Sequence, residues 1–331
     1  MKMIAVISSF LTLSTSFVLS LSAGSCNQVQ NGSDSSASSV QRTGTGMETM
    51  SAVPGAGYFK YDLAHPTAIY TLPKQLTEVS GIRFHPNDEV HIYAEQDEKG
   101  RLYWLKPGDK EAEYYDFGKD GDYEDLAFVG KQAVFLKSNG TLYGFDFAPA
   151  SDQKNAPVAG PLQEWKDLVP KGEYEGLFAD STKNQLYMLC KDCKNEDHKK
   201  SVSVYLLGYN ADQWVKQAVY QIDIAGINSL IDQKGHHKGK KGKKDKKMAF
   251  KPSALCQDPV THEWYILSSV NKMLVILGPD WQLRAVHTLS PELYPQPEGI
   301  CFDKRHQLYI SNEGQGPGGA TLLRFAPRER K

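Results

Sequence analysis

Pro297-Glu298-Gly299-Ile300-Cys301-Phe302, followed after a polar turn by Leu308-Tyr309-Ile310-Ser311, is one copy of a pattern that recurs along the chain. The other copies open with Val79-Ser80-Gly81-Ile82-Arg83-Phe84, Tyr123-Glu124-Asp125-Leu126-Ala127-Phe128, Tyr174-Glu175-Gly176-Leu177-Phe178-Ala179 and Pro252-Ser253-Ala254-Leu255-Cys256. Matching positions fall at 80, 124, 175, 253 and 298, which are 44, 51, 78 and 45 residues apart. Each opening precedes a short apolar strand, for example Ala133-Val134-Phe135-Leu136 or Trp264-Tyr265-Ile266-Leu267. Turn residues such as Lys99-Gly100 and Asn139-Gly140 come next, then a third strand such as Leu102-Tyr103-Trp104-Leu105. Some copies add a fourth, outer strand, as in Ala285-Val286-His287-Thr288-Leu289.

Four strands per repeat at this spacing predict an all-β fold, a β-propeller of about five four-stranded blades. The fifth copy stops after its third strand, and Thr67-Ala68-Ile69-Tyr70-Thr71 is an outer strand without a blade. Pairing the two closes the ring and leaves no exposed sheet edge. A two-sheet sandwich would not account for the periodicity.

The N-terminal segment sets the expected compartment. Lys2, an apolar stretch from Ile4 to Leu21 and the small residues Ser22-Ala23-Gly24-Ser25 have the order of a secretory signal over residues 1–25. Cys26 follows directly, as the acylated residue of a lipoprotein signal would, although Ala23 stands where Leu is usual. Palmitate-type acylation there anchors the chain to a membrane. Residues 26–57 are rich in Ser, Gly, Asn and Thr and read as a flexible tether. The propeller domain then runs over residues 58–331, in the cell envelope, periplasmic or surface-exposed. A net charge of −1, together with export, argues against nucleic acid as a partner.

The first strand of each blade lines a propeller's channel, so Ser80, Glu124, Glu175, Ser253 and Glu298 are expected in one ring. Three carboxylates facing a narrow channel repel unless a cation, a lysine or protonation neutralises them. Oxygen ligands of this kind suit Ca²⁺, which makes Glu124, Glu175 and Glu298 the candidate metal ligands. Glu95, Lys137, Lys191 and Glu313 end second strands and border the same opening, with Lys191 and Glu313 joining the ligand-binding set. The plainer alternative is that the glutamates accept backbone N–H groups from neighbouring blades and only organise the channel mouth.

The Ser, Glu, Glu, Ser, Glu order of these openings resembles the SdiA-regulated family of exported bacterial propellers. Tyr174-Glu175-Gly176-Leu177 and Pro297-Glu298-Gly299-Ile300, the latter running on to Asn312-Glu313, carry the resemblance most closely. It implies an envelope propeller without a defined chemistry. In outline the chain is also similar to calcium-dependent propeller hydrolases, phytase-like and lactonase-like. The chain departs from the SdiA-regulated family in an insertion at about 227–248, which opens with a short helical stretch, Ile227 to Ile231. Residues 234–247 of that insertion hold eight lysines in fourteen positions, a self-repelling loop suited to polyanions.

Cys190-Lys191-Asp192-Cys193 has the spacing of a redox or zinc pair, but no second pair follows, leaving a local disulfide or two free thiols. Cys256 and Cys301 read as small core residues. The acidic run Asp116 to Asp125 does not fit an EF-hand and reads as an interblade turn. Nucleophile-elbow, Walker and zincin motifs are lacking. Three functions remain: a non-catalytic propeller binding a ligand, cation or partner; a Ca²⁺-dependent hydrolase of phosphate esters or lactones; and a polyanion-binding surface protein.

Overall fold

The computed structural model describes residues 59–149, 160–194, 196–233, 248–314 and 318–329. All of them belong to the compact unit Met50–Lys331. The expected signal (1–25), the tether (26–57) with Cys26, and the lysine run (234–247) lie outside the described residues. No described helix is long and apolar enough to cross a membrane.

Strand β1 (Ala68–Thr71) comes first and stands apart from the blade that follows it. Blade one is β2 (Val79–Phe84), β3 (Ile92–Gln96), β4 (Lys99–Leu105) and β5 (Glu113–Asp116). Blade two is β6 (Tyr123–Val129), β7 (Gln132–Lys137), β8 (Leu142–Asp146) and β9 (Gln163–Trp165). Blade three is β10 (Gly172–Asp180), β11 (Gln185–Cys193), β12 (Ser201–Asn210) and β13 (Gln213–Asp223). After helix α1 (Ile224–Gln233), blade four is β14 (Ala254–Gln257), β15 (Trp264–Ser268), β16 (Met273–Leu277) and β17 (Leu283–Thr288). Blade five is β18 (Pro297–Phe302), β19 (Leu308–Asn312), β20 (Thr321–Phe325) and, as its outer strand, β1.

All pairings are antiparallel, and the innermost strands β2, β6, β10, β14 and β18 adjoin one another in ring order. The closure expected from sequence is present: Ala68 pairs with Arg324 and Thr71 with Thr321. Middle strands are covered on both faces by neighbouring blades, so every residue of β3, β15, β16 and β19 is buried. Outer strands such as β13 are largely solvated. Aromatic rings fill the wedge between blades three and four, where Trp264 lies 4.5 Å from Trp281 and 4.6 Å from Tyr187 by ring centroid.

Two local expectations need correction. The β3–β4 hairpin turns at Asp97 and Glu98, because Gln96 pairs with Lys99. Gly100 therefore lies inside β4, where a Cβ would come within 2.6 Å of Gly118, so close backbone approach rather than a turn selects glycine there. Asn139-Gly140 does form a turn, with φ +83° at Gly140. The helix of the insertion is longer than the expected 227–231 and starts at Ile224. Asp223 accepts the N–H groups of Ala225 and Gly226, as an N-cap does.

Candidate functional site

A single guanidinium blocks the middle of the channel. Arg83 Nη1 donates to the carbonyls of Ile82 (3.0 Å) and Ile300, and Nη2 donates to those of Leu177 (2.5 Å) and Leu255 (3.0 Å). These four carbonyls stand at the same repeat position on four inner strands. Nη2 also reaches Asp125 Oδ2 at 2.9 Å. Asp125, 2% exposed, accepts the N–H groups of Leu126 (2.8 Å) and Leu177 (2.7 Å) as well. Burial raises its pKa to about 6 despite the pull of Arg83.

On one side of this plug the second residues of the inner strands converge, as the repeat predicts. Glu175 is 8% exposed and accepts the Lys191 ammonium at 2.5 Å. Glu124 shares a hydrogen bond with Glu175, and burial plus the Glu175 charge push its pKa up to about 10. Protonated Glu124 is therefore the donor. Burial, aided by Glu175, pushes Glu298 up to about 7, while a hydrogen bond from Ser269 opposes the rise. Burial pulls Lys191 down, but Glu175, Glu124 and Glu298 outweigh it and leave its pKa raised. The glutamates are thus neutralised by a lysine and by retained protons, two of the three routes open to such a ring.

A cavity of about 340 Å³ opens beside them, bordered by Glu175, Lys191, Ser253 and Glu298 from the predicted set. Sequence reasoning missed its remaining polar wall, Lys251, Ser269, Lys272 and Gln296. Ser253 donates to the Pro297 carbonyl at 2.9 Å and so ties two inner strands together. Ser80 is half-buried at the start of β2. Glu313 stands further out, where burial, with Glu78 beside it, raises its pKa to about 8. Glu95 does not border the opening: it is fully buried and accepts the Gly81 N–H at 2.6 Å. Lys137 lies over the Tyr123 ring at 5.3 Å.

Cys190 and Cys193 form a disulfide, resolving the choice the sequence left open. It brackets Lys191 and Asp192, and Asp192 in turn pairs with Lys251 and His198. Cys256 and Cys301 are free and buried, as expected of core residues. Among the described residues, Cys190, Cys193 and Glu196 form the one group of three or more Cys, His or carboxylate side chains lying mutually within 4.8 Å, and the disulfide leaves its two sulfurs no thiolate to offer a metal. Glu124, Glu175 and Glu298 do not meet that distance.

These charges make stability depend on pH. A carboxyl whose folded pKa lies above its unfolded value of 4.5 contributes stability that is full below 4.5 and lost as pH rises to the folded value. That loss extends to about 7 for Glu298, about 8 for Glu313 and about 10 for Glu124. Urea unfolding is expected to show a more stable chain at about pH 5 than at about pH 9. Glu298→Gln is expected to flatten the part of the slope below neutrality, and an unchanged slope would contradict the assignment.

The fold and this face define a five-bladed propeller with an acidic, lysine-bridged channel mouth. Over residues 216–316 the chain matches the family described as SdiA-regulated, the family its blade openings resemble. No curated protein matches the sequence. Among solved structures, glutaminyl cyclase from Myxococcus xanthus is similar at 13% identity and TM-score 0.52, over 81% of this chain and 97% of that one. A gluconolactonase from Xanthomonas campestris is similar at 13% identity and TM-score 0.42, over 83% and 97%. At such identities the likeness concerns the fold.

Proposed function

We infer that this is an exported, lipid-anchored propeller of the cell envelope that binds a small polar ligand at the acidic mouth without transforming it. The cluster of Glu124, Glu175 and Glu298 around Lys191, opening into a sugar-sized cavity, carries the reading. Such clefts hold a few convergent polar groups that fix a ligand's orientation. Lys191 is committed to Glu175 and Lys251 to Asp192, whereas Lys272 meets the Pro295 carbonyl and, among the described residues, no carboxylate in ion-pair contact. Lys272 is therefore the cation left for an anion, and Ser253, Ser269 and Glu298 face hydroxyl groups. A hydroxyl-rich acid of about monosaccharide size matches this set.

Lys191 supplies the charge that Ca²⁺ would otherwise bring, which favours ligand binding over the calcium-dependent hydrolase. Titration calorimetry with glucuronate and gluconate is expected to give saturable binding. Lys272→Met should weaken it about tenfold or more, as loss of a charged hydrogen-bond partner does. Turnover of a phosphate ester or lactone that requires added Ca²⁺ would replace this reading with the hydrolase. Polyanion capture by residues 234–247 is a separate proposal, tested by salt-sensitive retention on heparin.

A further inference from the structure

The channel has a second mouth. Beyond Arg83, where the inner strands end, lies a cavity of about 990 Å³, at the upper end of the range for small-molecule sites. Part of its wall is aromatic through the repeat, beside polar residues such as His85, Asp180 and Asp303. Phe84, Phe128 and Phe302 occupy the same position at the ends of three inner strands, and all three line it. Trp264 and Tyr187 extend the wall on the side of blades three and four.

The polar groups of this cavity are mostly satisfied by the protein. Asp303 accepts the N–H groups of Arg305 and Gln307, and Asp180 is bonded to Thr182 and Lys183. Lys304 pairs with Glu89 at 2.9 Å. The exception is at the floor. Arg83 lines the cavity and is 8% exposed, and its Nε–H is buried with no acceptor, although both of its terminal nitrogens are bonded. A buried N–H of a cation without a partner is costly, and an anionic oxygen arriving from the cavity removes the cost.

We propose that this second mouth binds a small aromatic carboxylate, its ring against Phe84, Phe128 and Phe302 and a carboxylate oxygen accepting the Arg83 Nε–H. The site is independent of the acidic mouth, from which the Arg83–Asp125 plug separates it.

The test is an NMR titration of ¹⁵N-labelled protein with indole-3-acetate and, in parallel, with its neutral amide. Expected are saturable shifts at the amides of Phe84, His85, Phe128 and Phe302, with Lys191 and Glu298 unmoved. The amide should bind about tenfold more weakly or worse, since it offers no charged acceptor. Glu175→Gln, which alters only the acidic mouth, should leave the acid's affinity unchanged. Phe84→Leu should weaken acid and amide alike. Equal affinity for acid and amide, shifts confined to the acidic mouth, or no shifts at high ligand concentration would each overturn the proposal.

Discussion

Replacing Asp125 by alanine is expected to lower the unfolding free energy by about 3–5 kcal/mol, because it strands a buried guanidinium without its counter-charge. Asp125 and Arg83 are 2% and 8% exposed, so water cannot take over the lost interaction. The substitution also frees the N–H groups of Leu126 and Leu177, which then need new partners. The double variant Arg83→Met, Asp125→Ala should recover only part of the loss, since it removes the unpaired charge but leaves the carbonyls of Ile300, Leu177 and Leu255 without their donor. Urea unfolding of the single and double variants provides the measurement. If Asp125→Ala costs less than about 1 kcal/mol, the plug does not hold the inner strands together in the way argued.

Trp264→Ala is the second large effect, at about 3–5 kcal/mol, set by the cavity it leaves. Trp264 is 2% exposed and lies against Tyr187, Trp281 and Phe178, with ring centroids 4.6, 4.5 and 5.3 Å away. Phe178 and Tyr187 belong to blade three, so the deletion opens a seam between blades rather than a gap within one. Trp264→Phe should retain about half of the lost stability by refilling part of the volume. Thermal unfolding in which Trp264→Ala and wild type coincide would show that the seam carries no stability.

The architecture is legible because the inner-strand opening recurs five times, at intervals of 44, 51 and 45 residues besides the 78-residue interval that holds the insertion. Ring positions follow from that repeat, which sets Glu124, Glu175 and Glu298 side by side, and in the structure the Glu175 charge acts on both of the others. Residues that break the repeat were not legible as functional. Asp125 stands where the other openings carry Gly81, Gly176, Ala254 and Gly299, and Arg83 where they carry Ala127, Phe178, Cys256 and Cys301. Each departure was a readable signal, since one charged residue among small or apolar equivalents must find compensation inside the ring. Their partnership across two blades was not readable, because it depends on how the strands converge. Lys251, Ser269 and Lys272 sit outside the openings and reach the mouth only through the closure of blade four. The turn at Asp97-Glu98 is not legible, because a glycine at 100 signals positive φ in sequence while here it answers to crowding against Gly118.

The pairing of residues 68–71 with 321–325 has a kinetic meaning for a chain made from its N-terminal side. Thr71 and Thr321 lie 250 residues apart (321 − 71), so the strand synthesised first is among the last to dock. Pairing over such a span slows folding, since the loop must close before the contact rewards it. Until residues 321–325 emerge, Ile69 and Tyr70 wait in solvent with their backbone groups unpaired. Any protein that holds an extended segment in that interval meets a ring that cannot yet shut.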